Sequence, residues 1–115
     1  MKLQENTQGG DYRIQAFSEG QLTVNGLTYT QSIILLPNHL QPWRPQVFQD
    51  IVLSDVDALL ALKPDVILLG TGMMQQFIPD DWPVTVECMS TAAACRTFTV
   101  LSSEDRYVLA ALLLR

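Results

Sequence analysis

The stretch "DVILLGTGMM" at residues 65–74 joins a short apolar run to a glycine-rich turn. The apolar residues at 66–69 predict a buried strand, and Gly70-Thr71-Gly72 predicts the loop that ends it. α/β proteins often hold a phosphate or a cofactor in such a loop, but a tight strand-to-helix turn has the same composition. The surrounding sequence bears on which of the two this loop is.

The segments around this stretch alternate between helix and strand patterns. Upstream, "SDVDALLALKP" at residues 54–64 predicts an amphipathic helix, with Ser54 as its N-cap and Asp57 completing a capping box. Strands that alternate with helices imply parallel pairing. The final apolar strand lacks a period-two pattern, and this predicts that both its faces are buried. Downstream, the predictions are a short helix at 73–78, a strand at 84–88, a helix at 91–101 and a strand at 106–113.

The first third of the chain predicts antiparallel β structure. Apolar and polar residues alternate at 12–17, 22–24 and 27–29, and Asn25-Gly26 is typical of a two-residue hairpin turn. A fuller apolar run at 32–36 predicts a strand that is covered on both faces. With residues 1–10 as a loose tail, we expect one α/β domain over 11–115. Its architecture is a mixed central sheet with helices on both faces, plus a small antiparallel β element.

The composition of the chain limits the classes of partner that we expect it to bind. Hydrophobic residues make up 48% of the chain and charged residues 17%, and the net charge is −5. Without a basic patch the chain has little to bind a phosphate backbone, so we expect no nucleic-acid partner. The longest apolar run, at 108–114, is far shorter than the ~20 residues of a membrane-spanning helix, so we expect no direct membrane insertion. The N-terminal sequence has no signal-peptide pattern, and we expect a cytoplasmic protein with reduced thiols at Cys88 and Cys95.

The glycine loop departs from nucleotide-binding fingerprints. Gln75 stands where the dinucleotide pattern has its third glycine, and no Gly-Lys-Ser/Thr follows, so the pattern favours a structural turn. If the strands at 65–69 and 84–88 are parallel neighbours, however, their C-terminal loops open on one crevice at the start of a helix. The alternative hypothesis is therefore a small-molecule or anion site, either of a binding protein or of an enzyme, formed by Gly70, Thr71, Gly72, Ser90, Thr91 and Arg96.

Few residues suggest catalysis. Cys95 precedes an arginine, but the small residues around it are more typical of a buried structural cysteine in a closely packed helix. His39 is the only histidine, and the cysteines match no zinc spacing. Asp55, Asp57 and the Asp80-Asp81 pair resemble helix-cap and surface carboxylates. We therefore assign no catalytic residue, metal or cofactor, and the balance leans against an enzyme without deciding the question.

The segment "PNHLQPWRP" at 37–45 is predicted to be a proline-punctuated loop rather than a helix or a central strand. It carries Trp43 and Arg44, residue types that are enriched at the centres of protein interfaces. Trp43 could equally pack down on the core as a lid. The sequence leaves open whether this loop is an interaction surface.

These segments together resemble the domain-of-unknown-function family that includes mitochondrial respiratory complex I assembly factor 3. The resemblance covers about residues 12–114 and is carried by "NG" before an apolar strand ending in "LLP", then "PDVILLGTG", then "STAAACRTFTVL". It implies a three-layer fold with a five-stranded mixed sheet, no secured catalytic activity, and action through protein contacts. After Gly-Thr-Gly the resemblance implies a longer helix, but the segment here, "MMQQFIPDDWP", is shorter and bounded by prolines.

The leading hypothesis is therefore a small protein-interaction or assembly-factor-like domain without chemistry of its own. Its protein partners are not identified by the sequence, and a second copy of the chain is one candidate. The alternative is the small-molecule or anion site described above.

Overall fold

The computed structural model describes residues 12–74, 76, 78, 79, 81–83 and 85–115, so the predicted tail at 1–10 lies outside the described residues. The described residues contain two α-helices, a short 3₁₀ helix at Phe48–Asp50, and eight strands. The elements are β1 (Ile14–Ser18), β2 (Gln21–Val24), β3 (Leu27–Tyr29), β4 (Ile33–Leu36), β5 (His39–Pro42), α1 (Leu53–Leu60), β6 (Val66–Thr71), β7 (Val86–Met89), α2 (Thr91–Ser103) and β8 (Val108–Leu113).

The first three strands form the small antiparallel sheet that the sequence predicts. They lie in the order β1-β2-β3, and β2 joins β3 through Asn25 and Gly26. Both residues have positive φ, 50° and 84°, which is the conformation that a type I′ hairpin turn requires. The Asn-Gly pair is thus a turn, as predicted.

The remaining strands form the five-stranded mixed sheet, in the order β5-β4-β8-β6-β7. β8 lies at the centre, antiparallel to β4 and parallel to β6, and β6 is also parallel to β7. All six residues of β8 are buried, which confirms that both faces of this strand are covered. The five-stranded mixed sheet that the resemblance implied is therefore present.

Each face of the central sheet carries its own apolar layer, because successive side chains of a strand point to opposite faces. On one face Leu68 packs with Phe98 of α2 and with Leu22 of the small sheet. On the other face Ile67 and Leu69 pack with a layer that includes α1 and both tryptophans, Trp43 and Trp82. The result is a three-layer α/β domain with one helix on each face.

The start of α1 differs from the prediction that Ser54 caps it. The N-cap is Val52, and the side chain that satisfies a free amide is that of Asp55, whose Oδ2 accepts a hydrogen bond from the Val52 N–H at 2.9 Å. A carboxylate at the third helical position can reach back to the N-cap amide without a polar residue at the N-cap itself. The predicted capping box of Ser54 and Asp57 is therefore wrong, and the helix begins at Leu53.

Three other predictions differ from the structure or fall partly outside the described residues. The proline-rich segment contains the strand β5, which pairs with β4 at the edge of the sheet, where one side of a strand needs no ladder partner and proline is tolerated. The strand predicted at 84–88 is observed at Val86–Met89, and residue 84 lies outside the described residues. Of the helix predicted at 73–78, residues 75 and 77 also lie outside them, and Met73 and Met74 form a bend.

Candidate functional site

The C-terminal ends of β6, β7 and β8 meet at one edge of the central sheet. Gly70 lies opposite Met89 of β7 and Leu112 of β8, and Thr71 lies opposite Leu113. Because α2 begins directly after β7, its first residues lie beside the glycine loop, which we define as Gly70-Thr71-Gly72. The structure therefore brings Thr71 and Thr91 to the same end of the sheet.

Thr91 joins these segments through a set of buried hydrogen bonds. Its side chain is fully buried, and its Oγ1 accepts a hydrogen bond from the Gly72 N–H at 2.8 Å while donating to the carbonyl of Leu113. The Thr91 N–H in turn donates to the Gly72 carbonyl at 2.8 Å. The amide and the hydroxyl of Thr91 are thus both bonded within the chain.

The glycines of the loop are explained by close contacts within the protein. A Cβ at Gly70 would lie 2.9 Å from Thr91 Oγ1. A Cβ at Gly72 would overlap the carbonyl oxygen of Arg115, and Gly72 also has φ +97°, a conformation that other residues rarely adopt. The two glycines are therefore needed because Thr91 and Arg115 approach the loop closely.

The other side chains of the hypothetical ligand site are also placed by the fold. The Thr71 hydroxyl lies within hydrogen-bond distance of two carbonyls, that of Met74 at 2.6 Å and that of Met89 at 3.1 Å. Ser90 is the N-cap of α2, and its Oγ accepts a hydrogen bond from the Ala93 N–H at 3.2 Å. Arg96 is exposed on α2. The hydroxyl groups of Thr71 and Ser90 are thus bonded within the protein, whereas the Arg96 side chain is exposed.

The two thiols lie in apolar surroundings. Burial raises the pKa of the Cys95 thiol to about 12, although the nearby charge of Arg96 acts in the opposite direction. Burial also raises the pKa of Cys88, to about 11. Both thiols are therefore protonated near neutral pH, where a cysteine nucleophile would need to be a thiolate. Within the described ranges no three His, Cys, Asp or Glu side chains are grouped so that they could hold a metal ion.

Trp43 and Arg44 occupy different environments. The Trp43 side chain is 5% exposed and packs in the layer beneath α1, and its indole N–H has no hydrogen-bond partner among the described residues. Arg44 is exposed and binds Asp55 through two hydrogen bonds, from Nε at 3.1 Å and from Nη2 at 2.7 Å. Trp43 thus lies in the core in the manner of a lid, and Arg44 fastens the preceding segment to α1.

Exposed apolar side chains mark a surface that the sequence patterns did not reveal. Val47, Val52 and Leu53 are 37%, 53% and 44% exposed, and they surround the 3₁₀ helix and the first turn of α1; we call them the apolar surface. They were missed because they precede the predicted start of the helix and do not belong to its buried stripe. The run of apolar residues at 51–53, directly before the helix, was the available signal.

Further exposed apolar residues follow the glycine loop. Met73 and Met74 are 55% and 73% exposed. The segment that they begin returns to the α1 face at Trp82, whose ring centroid lies 5.9 Å from that of Phe48 in the 3₁₀ helix. Methionine side chains adapt to differently shaped partners because they are flexible and polarisable. The segment that follows the glycine loop thus also exposes apolar side chains to solvent.

Neither helix in the described part of the chain has the length and hydropathy that crossing a membrane requires.

Among curated relatives, the chain is 27% identical over 117 residues to the "13 kDa major membrane protein" of Francisella tularensis, with 94% of this chain and 95% of that protein aligned. It is 29% identical to the NADH dehydrogenase [ubiquinone] 1 alpha subcomplex assembly factor 3 of Danio rerio, over 87% of this chain and 63% of that protein. The Xenopus tropicalis protein of the same name is 28% identical, over 87% of this chain and 60% of that protein. The chain thus spans less than two thirds of either assembly factor.

Solved structures share the whole fold. A Bordetella parapertussis protein superposes with a TM-score of 0.85 at 30% identity, covering 92% of this chain and 98% of that one. A Xanthomonas campestris protein superposes with a TM-score of 0.82 at 37% identity, covering 95% and 90%. A Bartonella henselae structure described as an outer membrane protein has a TM-score of 0.75 at 28% identity, covering 92% and 97%.

The family model described as a protein of unknown function (DUF498/DUF598) matches residues 14–113, nearly the whole of the domain. The two structural likenesses with the highest TM-scores given above cover 92% and 95% of the chain. The resemblance found from the sequence is confirmed by this match and by the assembly-factor relatives. The chain belongs to the DUF498/DUF598 family.

Proposed function

We propose that this chain is a non-catalytic protein-interaction domain that assists the assembly of a larger complex, and that it binds its partner through the apolar surface. The observation that carries the proposal is the exposure of Val47, Val52 and Leu53 within one short segment of the chain, at the 3₁₀ helix and the start of α1. An exposed cluster of apolar side chains is stabilised when a partner removes it from water. The relatives named as assembly factors support the same conclusion.

The segment that carries the apolar surface is fastened to the domain. Arg44 donates to the carbonyl of Asp50 at 2.5 Å and to the carboxylate of Asp55, so one guanidinium links the 3₁₀ helix to α1. Phe48 also packs against Trp82 from beneath this segment. A surface that is already ordered loses little conformational entropy on binding, which favours affinity.

The charges beside the apolar surface indicate the chemistry of the partner. Asp50 and Asp57 are exposed on the same segment, and the whole chain carries a net charge of −5. A partner with an apolar patch bordered by basic side chains would complement this surface and associate faster at low salt. A second copy of the chain would bring like charges together and is the less favourable partner.

Site-specific photo-cross-linking tests the proposal. A photoreactive residue is placed at position 52 or 53 of the full chain, and at position 100 as a control, because Val100 is an equally exposed valine at 54% against 53% for Val52. The proposal predicts discrete adducts with the same protein from positions 52 and 53, and none with it from position 100. Equal adducts from all three positions, or none, would contradict it. Adducts between two copies of the chain would instead identify a homo-oligomer.

The cytoplasmic location expected from the sequence is also a proposal. Relatives described as membrane proteins favour an alternative in which the chain is recovered with membranes through a partner. Fractionation of cells that express the full chain distinguishes the two. Recovery in the cytoplasmic fraction supports the proposed location, whereas recovery in a salt-resistant membrane fraction contradicts it.

A further inference from the structure

A cavity of about 480 Å³ lies between the start of β1 and the C-terminal end of α2. Its volume is within the range of small-molecule sites, which is roughly 300–1,000 Å³. The glycine loop lies at the opposite end of α2, roughly 20 Å away along a helix of this length. Among the described residues, the cavity lining contains no residue of the glycine loop or of the apolar surface, so the cavity is a separate site.

The charge lining the cavity is positive, in contrast to the rest of the chain. Among the described residues that line it, Arg13 and Arg106 are basic and Asp105 is acidic, so these side chains carry a net charge of +1. The chain as a whole carries −5, with only seven basic residues. Among the described residues neither of these two arginines forms an ion pair, and both are exposed. Two guanidinium groups are thus available to an anion.

The hydroxyl groups at the helix end are less available as donors to an anion. Thr99 donates to the carbonyl of Cys95 at 3.0 Å, Ser102 to that of Thr99 at 3.4 Å, and Ser103 to that of Val100 at 2.7 Å. Each hydroxyl proton is therefore directed at the helix backbone. The two guanidinium groups are charged donors that line the cavity, and neither has an ion-pair partner in the described part of the chain. Their planar geometry suits a carboxylate.

Most of the remaining lining residues are apolar or aromatic; the exception is Gln15, whose Oε1 accepts a hydrogen bond from the Gly26 N–H. Tyr12 and Ile14, both half-buried, line the cavity and pack in the same layer as Phe98, which is itself 1% exposed. Tyr107 also contributes to the lining, but its side chain packs with the layer on the other face of the sheet. Such a lining favours a ligand with a flat apolar body, because aromatic rings pack well against one another. A polyphosphate would bring several negative charges to a lining with a net charge of +1, so the charge balance favours a single carboxylate.

Backbone hydrogen bonds hold both walls of the cavity in place. The Tyr12 N–H donates to the Pro37 carbonyl at 3.0 Å on the side of β1. On the other side, the Arg106 N–H donates to the Leu101 carbonyl at 3.1 Å, and the Asp65 N–H donates to the Tyr107 carbonyl at 2.8 Å. The backbone positions of the lining residues are thus fixed without a ligand, which lowers the cost of binding one.

We propose that this cavity binds a small aromatic carboxylate, whose carboxylate is held by Arg13 and Arg106 and whose ring packs against Tyr12 and Ile14. This site is independent of the proposed protein contact, because the two lie on different parts of the domain. It would give the chain a ligand-responsive element in addition to its interaction surface.

An amide NMR titration of the full chain with phenylacetate tests this site. The expected result is saturable shifts confined to the cavity lining, such as the amides of Gln15 and Ser103, at low salt and up to about 10 mM ligand. Phenylacetamide, which lacks the charge, and acetate, which lacks the ring, should each bind about tenfold more weakly or worse. No saturable shift, or equal binding of phenylacetamide, overturns the proposal. Tighter binding of inorganic phosphate than of phenylacetate overturns the choice of a carboxylate.

Variants of the arginines separate this site from other binding. Arg13→Gln and Arg106→Gln should each weaken phenylacetate binding by about tenfold while retaining the dispersed spectrum of the folded protein. Arg96→Gln is the matched control, because Arg96 is an exposed arginine of α2 that does not line the cavity. An equal loss in all three variants would show non-specific attraction by positive charge and would overturn the proposal.

Discussion

The hydroxyl of Thr91 accepts a hydrogen bond from the backbone N–H of Gly72 at 2.8 Å, and the Gly72 carbonyl accepts one from the Thr91 N–H at the same distance. This reciprocal pair of hydrogen bonds lies where the ends of the parallel strands β6, β7 and β8 meet. Thr91 is fully buried there. It gives the glycine loop a structural role: the loop docks the start of α2 onto the central sheet.

The first prediction concerns this pair. Thr91→Val keeps the shape of the side chain but leaves the Gly72 N–H and the Leu113 carbonyl without their partner. Because both groups are buried, we expect the free energy of unfolding in urea to fall by at least ~2 kcal/mol. Thr91→Ser retains the hydroxyl and loses only a methyl group, so its loss should be nearer ~1 kcal/mol. Equal losses in the two variants would show that the hydroxyl bonds contribute little.

The second prediction concerns the close approach of Gly72 to Arg115. Gly72→Ala and Gly20→Ala impose a similar backbone strain, since φ is +97° at Gly72 and +86° at Gly20. This strain costs about 1–2 kcal/mol. A Cβ at Gly20 meets nothing within 4 Å, whereas at Gly72 it would collide with the Arg115 carbonyl. We expect Gly72→Ala to lower the free energy of unfolding by a further ~2 kcal/mol. Similar values for both variants would contradict the close approach of the C-terminal backbone to Gly72.

The third prediction concerns the carboxylate that begins α1. The hydrogen bonds from Arg44 hold the pKa of Asp55 below its ordinary value of 3.8. A carboxyl whose folded pKa is depressed contributes stability that is full above the unfolded value and is lost as the pH falls through the folded value. Asp55→Asn should therefore cost about 1–2 kcal/mol at neutral pH. That difference should shrink as the pH falls below 3.8.

The control for this variant is Asp57→Asn, which changes an exposed carboxylate in the same helix. Its effect at neutral pH should stay within about 0.5 kcal/mol. Urea unfolding of both variants and the wild-type chain at several pH values measures the difference. An Asp55→Asn effect that stays constant down to acidic pH would show that the ion pair does not depress the pKa of the carboxyl.

Several elements follow from local sequence alone. The apolar runs of β6 and β8, the Asn25-Gly26 turn and the start of α2 at Thr91 were predictable because each depends on neighbouring residues. The N-cap of α1 was not, because the residue that supplies the hydrogen bond is Asp55 rather than a polar N-cap. The edge strand β5 was missed because its prolines look unfavourable until its place at the sheet edge is known.

In the candidate site, too, some features were predictable from the sequence and others were not. Parallel pairing predicted that the glycine loop and the start of α2 would lie together. Only the structure places Leu113 and Arg115, which are distant in sequence, against Thr91 and Gly72. The apolar surface depends on which side chains remain exposed after packing, and a sequence pattern alone does not specify that exposure.

The fourth prediction concerns thiol reactivity. Burial raises the pKa of Cys88 to about 11 and that of Cys95 to about 12, so little thiolate exists at pH near 8. Alkylation by iodoacetamide should therefore be about a hundredfold slower in the folded protein than in the same protein in urea. Mass spectrometry of peptides containing each cysteine measures the two rates. Rapid labelling of folded Cys95 would instead indicate an activated nucleophile and support an enzyme.

The measurement that tests the central claim most directly is the affinity of the cross-linked partner for two matched variants. Val52→Gln and Val100→Gln replace valines that are 53% and 54% exposed, but only Val52 belongs to the apolar surface. We expect Val52→Gln to weaken binding by about tenfold, or ~1.4 kcal/mol, and Val100→Gln to leave the Kd unchanged. Equal affinities for Val52→Gln and the wild-type chain, or a loss in both variants, would contradict a protein contact through this surface.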